Sequence, residues 1–244
     1  MTGAIAITAW RRPAYLRRVL QAIRQCDGVE NYVIFIGINP DPDTVAELRS
    51  ISEGIDFAEH VVFVRERNLG CNLNIKLVLD SAFERFDYVI HFQDDSLVTS
   101  DALCYFEWAH QFGTDLQNFT VGCYRHDKGW LPRDGPKPEG EDGRVGRQPY
   151  FTCWCWATWR DRWQKITDRW PESSPLPKED RGTWWDLQMC DVFRQDRLEV
   201  MPHVSRVWHI GIEKGMHMQD ANRIFLPYWA GSGGFVRPSG FVLA

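Results

Sequence analysis

YVIHFQDDSLV, residues 88–98, carries the reading of the fold. Tyr88, Val89, Ile90 and Phe92 form an apolar run of the length of one buried strand. The run terminates in Gln93, Asp94 and Asp95. In an alternating α/β chain, carboxylates at the carboxyl end of a buried strand lie where such folds bind ligands. Two adjacent carboxylates with no basic residue beside them repel each other, and a divalent cation would relieve that repulsion. Hard cations such as Mg²⁺ or Mn²⁺ take oxygen ligands, often one or two carboxylates plus substrate phosphates. The same segment also reads as a solvated strand-to-turn junction, because Asp is common in turns.

Working outward, the flanking sequence alternates strand and helix. AIAITA (4–9) reads as a strand, and Pro13 suits the start of a helix with Leu16, Val19, Leu20 and Ile23 on one face. YVIFIGIN (32–39) is a second strand, followed by a helix capped within Asp41–Asp43 and carrying Val45, Leu48 and Ile51. HVVFVRE (60–66) is a third strand, and Ile75, Val78, Leu79 and Ala82 mark the next helix. After the strand ending at Asp95, Ser100 is positioned to cap a helix through Leu103, Phe106 and His110. Strands separated by helix-length segments predict right-handed βαβ units and a mainly parallel sheet. No G-x-G-x-x-G follows the first strand and no P-loop pattern occurs, which disfavours dinucleotide oxidoreductases and P-loop enzymes. The first strand ends in Trp10, Arg11 and Arg12. Arginine there can pair with phosphate and the indole can pack on a base; an exposed loop with an anchoring Trp is the plainer alternative.

The second half is irregular and aromatic-rich. Residues 126–148 are dense in Gly, Pro and charge and predict no regular element, so they read as a flap over the site or a plain surface insertion. Seven of the twelve tryptophans fall between Trp154 and Trp185. Trp154 and Trp156 share strand parity, and Trp159 and Trp163 share helical spacing. Most are expected in the core, although aromatic platforms also bind sugars and bases. After a Pro-rich bend at 171–177, Thr183 or Asp180 is placed to cap a helix through Asp186, Met189, Cys190 and Phe193. Asp186 falls in its first turn, where the helix dipole favours a carboxylate. It reads either as helix-end electrostatics or as a general base beside an aromatic-lined pocket.

Bulk properties set the limits. The 244 residues suit one large α/β domain or two small ones. A formal charge of −5 gives no global attraction to nucleic acid or anionic membranes. The basic residues of 125–147 (Arg125, Lys128, Arg133, Lys137, Arg144, Arg147) are largely cancelled by the acidic ones among them. The odd number of scattered cysteines, seven, predicts reduced thiols, and the Cys153-x-Cys155 pair is a weak zinc signal. No apolar run approaches a membrane span, and the N-terminus has no basic and apolar leader pattern, so a cytoplasmic protein is expected.

Several motifs together resemble the β-1,2-N-acetylglucosaminyltransferase I family of GT-A fold glycosyltransferases, which includes the protein O-mannose enzyme. The family's acidic motif is matched by QDDSLVTSDALCYF, with Gln93 in place of Glu and both Asp94 and Asp95 kept. Its Phe-Pro-Gly-Leu-Gly-Trp stretch is similar to FTCWCWATWRDRW, retaining Phe151, Trp156 and Trp163 but with Cys153 and Cys155 in place of the two glycines. Its Trp-Asp-Asp-Trp-Met helix is similar to WWDLQM with Trp184 retained, and its Arg-Pro-Glu-Ile-Ser-Arg falls on MPHVSR, matching Pro202, Ser205 and Arg206, with Gly211 and Gly215 following. The resemblance spans about residues 4–216. It implies a GT-A fold, Asp95 as the direct Mn²⁺ (or Mg²⁺) ligand, Asp186 as catalytic base, and a UDP-sugar donor. It also implies that the single domain divides into a nucleotide-sugar-binding half (1–115) and an acceptor-binding, catalytic half (116–244).

The reaction implied is an inverting transfer of a GlcNAc- or glucose-type sugar from a UDP-sugar to an acceptor hydroxyl. Trp10, Arg11, Arg12, Asp94, Asp95 and Trp156 form the expected donor site, with Asp94 orienting the ribose or the metal shell. The acceptor class stays open among glycan, lipid-linked sugar, protein and a hydroxymethylated DNA base; the net charge gives nucleic acid no support. A nucleotidyltransferase fits poorly, because the WRRP loop has no glycine. A non-catalytic sugar-nucleotide binder fits poorly too, because both Asp95 and Asp186 are present.

Overall fold

Two-sided burial of short apolar strands organises the chain. The computed structural model describes residues 3–125, 143–171, 185–212 and 239–243. Its first half is β1 (Gly3–Ala9), α1 (Pro13–Arg24), β2 (Tyr32–Ile38), α2 (Val45–Glu53), β3 (Glu59–Val64), α3 (Gly70–Phe83) and β4 (Tyr88–Gln93). Alternate residues of each strand serve opposite layers. Ile5, Ile7, Ile34 and Ile36 pack in one core with Leu16, Val19 and Ile23 of α1. Ala4, Ala6, Val33 and Phe35 pack in the other with Ile75, Val78, Leu79 and Ala82 of α3. Strands covered on both faces lose the polar alternation of a half-exposed sheet, which is why they read as near-continuous apolar runs.

β1 pairs in parallel with both β2 and β4, and β2 with β3, giving the order β4-β1-β2-β3. The chain therefore leaves β1 on one side and returns on the other for β4. The carboxyl ends of β1 and β4 flank the point where the winding reverses, the place where open α/β sheets bind ligands.

The remaining elements are β5 (Ser96–Val98), α4 (Ala102–His110), β6 (Asn118–Gly122), β7 (Arg144–Gln148), β8 (Trp156–Trp159), α5 (Arg160–Gln164), α6 (Trp185–Gln188), a π-helical turn Met189–Phe193, β9 (Leu198–Pro202), β10 (Val207–His209) and β11 (Val242–Leu243). β8 joins β4 antiparallel, and β6, β9, β7 and β11 extend the same nine-stranded sheet. β10 and β5 form a separate antiparallel ribbon. The result is the expected α/β architecture, a large, mostly parallel sheet with flanking helices and a mixed C-terminal part. Among the described residues no helix is long and apolar enough to cross a membrane. All seven cysteines are free thiols.

Three local expectations are corrected. Ser100 does not cap α4; Asp101 holds the N-cap position, and its carboxylate is turned instead to Arg206 and Thr99. The segment 126–148 is not irregular throughout, since Arg144–Gln148 is β7, held antiparallel against β9; residues 126–142 of that flap, like Asp180, Thr183, Trp184 and Gly215, lie outside the described residues. Trp154 and Trp156 do not share a strand, because β8 begins only at Trp156 and Cys155 between them is left-handed (φ 57°).

A buried carboxylate ties the C-terminal half of the sheet together. Glu199 of β9 is fully buried and accepts from the Thr120 hydroxyl (2.9 Å), Gln148 Nε2 (2.8 Å), and the Thr152 hydroxyl (2.6 Å) and amide (3.2 Å). These donors come from β6, β7 and the strand-free turn before β8. A Cβ on Gly122 would stand 2.5 Å from Glu199 Oε1, so only glycine admits this packing. Burial pushes the Glu199 carboxyl up to about 7, against the pull of those hydrogen bonds. The folded protein keeps this proton to about pH 7, whereas the ordinary value is 4.5. Its contribution to stability, up to about 3 kcal/mol, is therefore complete below pH 4.5 and lost as pH rises through 7. Glu199→Gln is expected to remove one proton's worth of that slope from thermal melts taken between about pH 4.5 and 8; an unchanged slope would show that Glu199 is ionised throughout.

Candidate functional site

The chain turns sharply where β1 ends. Arg11 adopts φ 62°, a left-handed conformation that costs a non-glycine residue energy. The turn sends two neighbouring arginines to different partners. Arg11 Nε donates to Asp41 Oδ2 at 2.5 Å, and the guanidinium lies 4.8 Å from the Trp10 ring centre. Arg12 points to the end of β4, where Nη1 donates to Asp95 Oδ2 (2.6 Å) and Nη2 donates to Asp94 Oδ1. The Trp10 amide donates to Asp94 Oδ2 at 3.0 Å, and the Asp94 amide bonds Thr8 O at 3.1 Å. Asp94 and Asp95 thus sit across the crevice from the end of β1. The pair does have a basic neighbour, supplied by the fold rather than by adjacent sequence.

Asp95 has a second partner that sequence reasoning missed. His209, at the end of β10, places Nε2 3.2 Å from Asp95 Oδ2, and both side chains are buried. The pairing follows from register: β10 runs antiparallel to β5 with His209 opposite Ser96, and the Ile210 amide bonds Asp95 O at 2.9 Å. Gly211 then passes so close that a Cβ there would meet Asp95 Oδ2 and His209 Cε1 at 2.6 Å. Gly211 is thus required by a close approach, and a histidine two residues before it, ending an apolar run, is the sequence signal that was available. Ser205 and Arg206 act further back. The Ser205 hydroxyl accepts from the Arg125 amide (2.7 Å), and buried Arg206 pairs with Asp101 (3.2 Å).

The two carboxyls titrate unequally. Burial raises Asp94 to about 7, with the Arg12 charge opposing and that of Asp95 adding. Burial also pushes Asp95 up, but the hydrogen bond and charge of His209 and then Arg12 outweigh it and hold Asp95 below the usual carboxylate range. The negative charge is therefore concentrated on Asp95. Burial lowers Arg12, but both carboxylates outweigh it and raise the guanidinium above its ordinary value. For Asp41, the Arg11 hydrogen bond holds the carboxyl below its usual range.

Asp186 reaches the same region from the other half. Its helix α6 is one turn long and owes its place to aromatic packing. Trp185 stacks on Trp156 (6.0 Å, 27°) and Trp170 (5.8 Å, 26°) and takes the edge of His91 (5.9 Å, 77°). Trp170 in turn donates to Asn72 O at 2.9 Å, fixing the stack to α3. With Trp185 buried, its neighbour Asp186 is left half-buried at the edge of the stack. Two thiols report where it lies. Cys71, in the first turn of α3, is open to solvent, yet its thiol is pushed up to about 12 by the protein crowded around it and then by Asp186, Asp94 and Asp95; a hydrogen bond with the Trp185 side chain opposes this. Cys153 is raised by burial and then by Asp186 and Asp95. The α3 entry is fixed by Asn39 at the end of β2, which accepts from the Leu69 amide (3.1 Å) and donates to Gly70 O (3.0 Å).

Of the residues expected at the site, Trp10, Arg12, Asp94 and Asp95 come together, Arg11 stands one partner away with Asp41, and the charge of Asp186 acts together with that of Asp95 on the Cys71 and Cys153 thiols. Trp156 is corrected: it is fully buried in β8 between Phe151 and Trp185, so it touches a ligand only through other residues. His91, also wholly buried, is lowered by burial to about 3 and stays neutral beneath the stack.

A hard cation fits at one oxygen. Asp95 Oδ1 is buried with no hydrogen-bond partner, while the other three oxygens of the pair accept N–H donors. Among the described residues no three His, Cys, Asp or Glu side chains converge as a metal cage. The donor set therefore suits an ion held by one carboxylate and completed by phosphate and water, as Mg²⁺ commonly is.

No family model matches the chain, and no curated protein matches it. Solved structures do. The S. aureus TarS 1–349 structure matches with a TM-score of 0.58 at 11% identity, over 87% of this chain and 61% of that one. The same protein in complex with UDP-GlcNAc matches with a TM-score of 0.55 at 11% identity, over 85% and 58%. The mannosyltransferase PcManGT from Pyrobaculum calidifontis, in complex with GDP-Man and Mn²⁺, matches with a TM-score of 0.53 at 15% identity, over 82% and 54%. The chain thus spans little more than half the length of these structures, and what it shares with them is the fold.

Proposed function

We propose that this chain is a glycosyltransferase that moves a GlcNAc- or glucose-type sugar from a UDP-sugar to an acceptor hydroxyl, with inversion and with the aid of a divalent cation. The observation that carries the reading is the buried Asp94–Asp95 pair at the reversal point of the sheet, forked by Arg12 from the end of β1. The similar folds bound to UDP-GlcNAc, and to GDP-Man with Mn²⁺, support a nucleotide-sugar donor and a metal. Held by Asp95, a cation would offset charge developing on the departing diphosphate.

The chain's own groups do the rest. Arg11 and Arg12, at the end of β1, are within the region where a diphosphate lies and supply charge-assisted donors. Trp10 offers an indole N–H that is buried with no partner among the described residues. Asp186 takes the proton of the acceptor hydroxyl as its oxygen bonds to the sugar C1 and the C1–O bond to the diphosphate breaks, leaving the electron pair on the leaving group. One base opposite the leaving group gives a single displacement. The test is incubation of the purified protein with a panel of UDP-sugars, Mn²⁺ and varied acceptors, following UDP release. One donor is expected to stand out. No release from any donor, together with no shift of thermal unfolding by UDP, would overturn the reading.

A further inference from the structure

A single guanidinium covers the acidic pair. The Arg12 side chain is 33% exposed, whereas those of Asp94 and Asp95 are 3% and 5% exposed. Arg12 therefore lies on the solvent side, and the carboxylates are reached past it. Its two Nη atoms go one to each aspartate, a fork that matches the pair as a fixed unit. Together with the Trp10 amide and His209, this occupies every oxygen of the pair except Asp95 Oδ1. The guanidinium also has a second resting contact, the Tyr15 ring, 5.6 Å away in the first turn of α1. Only the side chain is committed to this pairing. The Arg12 carbonyl starts α1 by accepting from the Tyr15 and Leu16 amides, and that role survives substitution.

We infer that Arg12 is the resident counter-cation of this site: in the nucleotide-free protein it neutralises Asp94 and Asp95 and suppresses divalent-cation binding, and a nucleoside diphosphate draws it off the carboxylates so that cation and nucleotide bind together. This deepens the proposed function and rests on it. A guanidinium and a divalent cation compete for the same negative charge, while a diphosphate offers Arg12 a planar, bidentate alternative of equal chemistry. The consequence is positive coupling between cation and nucleotide, and coupling is reciprocal: each strengthens the other's binding by the same factor. Arg11 does not compete for the pair, because its carboxylate partner is Asp41.

The experiment is Mn²⁺ binding followed by the loss of the free-ion paramagnetic resonance signal, with and without UDP and corrected for the Mn²⁺ that UDP takes up without protein, on the wild-type chain, Arg12→Gln, Arg12→Lys and Arg24→Gln. Thermal unfolding checks that each variant is folded. Wild type is expected to bind Mn²⁺ weakly alone and more tightly with UDP, by roughly 5–150-fold, the usual size of such a coupling. Arg12→Gln is expected to bind Mn²⁺ alone more tightly than wild type and to show a smaller UDP effect, the remainder being the phosphate's own bond to the cation. Arg12→Lys keeps the charge, though not the fork, and should hold off Mn²⁺ alone nearly as wild type does, while Arg24→Gln, an exposed arginine of α1 paired with Asp56, should match wild type throughout. If folded Arg12→Gln binds Mn²⁺ alone no better than wild type, or if the Gln and Lys variants shift alike, Arg12 only scaffolds the aspartates and the inference falls while the metal-assisted reading stands. If wild type binds no Mn²⁺ even with UDP, the metal-assisted reading fails, and the inference with it.

Discussion

Asp95→Ala is expected to lose measurable UDP binding in the presence of Mn²⁺ and to lower kcat/KM by about 10³-fold or more. The size reflects what the residue holds. A cation at a departing diphosphate is worth several kcal/mol of charge stabilisation, and about 1.4 kcal/mol is a factor of ten in rate. Asp95 is the member of the pair that keeps its charge, because His209 and Arg12 hold it ionised against burial, and it carries the oxygen with no partner. Removing it leaves a buried imidazole and half of a guanidinium fork facing each other. Asp95→Asn preserves shape and is expected to lose the same binding, which separates the charge from the packing. Calorimetric titration with UDP, with Mn²⁺ and then with chelator, measures this directly. Wild-type affinity in either folded variant, or full turnover in chelator, would remove Asp95 from the donor site.

The sheet's first half was legible because its strands are buried on both faces and its helices keep one apolar stripe; nothing at long range had to override local pattern. The carboxylate pair was legible for the same reason, as it marks the end of a strand whose apolar run is unbroken. What escaped was set by contacts distant in sequence. β9 is interrupted by Glu199, a residue that belongs in a strand only because Thr120, Gln148 and Thr152 surround it. β7 was hidden inside a polar, glycine-rich stretch and exists because β9 offers it a ladder. Asp94 and Asp95 read as having no cation beside them, since Arg12 is 82 and 83 residues away along the chain. His209 was passed over because a single histidine in an apolar run is ordinarily a core residue. Its partner becomes visible only when β10 is laid against β5. Trp156 failed in the opposite sense: its residue type suits a binding platform, but its register in β8 points it into the core.

Asp186→Asn is expected to leave UDP binding and stability near wild type while kcat falls by roughly 10²–10⁴-fold, the usual worth of a positioned base. Stability should hold because α6 is anchored by Trp185, not by the carboxylate. The indole is buried, stacked between Trp156 and Trp170, with His91 at its edge. Donor binding should hold because Arg12, Asp94 and Asp95 are joined to one another and to His209 independently of α6. Turnover should not, because Asp186 is half-exposed beside this rigid stack and shares Cys71 and Cys153 as neighbours with the donor-site carboxylates. A base across a cleft from the leaving group is the arrangement a single displacement needs, and rigidity behind it keeps the carboxylate within reach of the acceptor. Asn keeps the size and hydrogen-bonding shape but cannot take the proton. Single-turnover measurements at saturating donor isolate the chemical step from binding. Near-normal turnover in the folded variant would reduce Asp186 to a helix-end charge, and the search would move one turn along to Asp191, which is exposed on the π-helical turn. Loss of UDP binding together with a lowered melting temperature would make it a structural residue instead, and would mean that the stack around Trp185 depends on the carboxylate beside it.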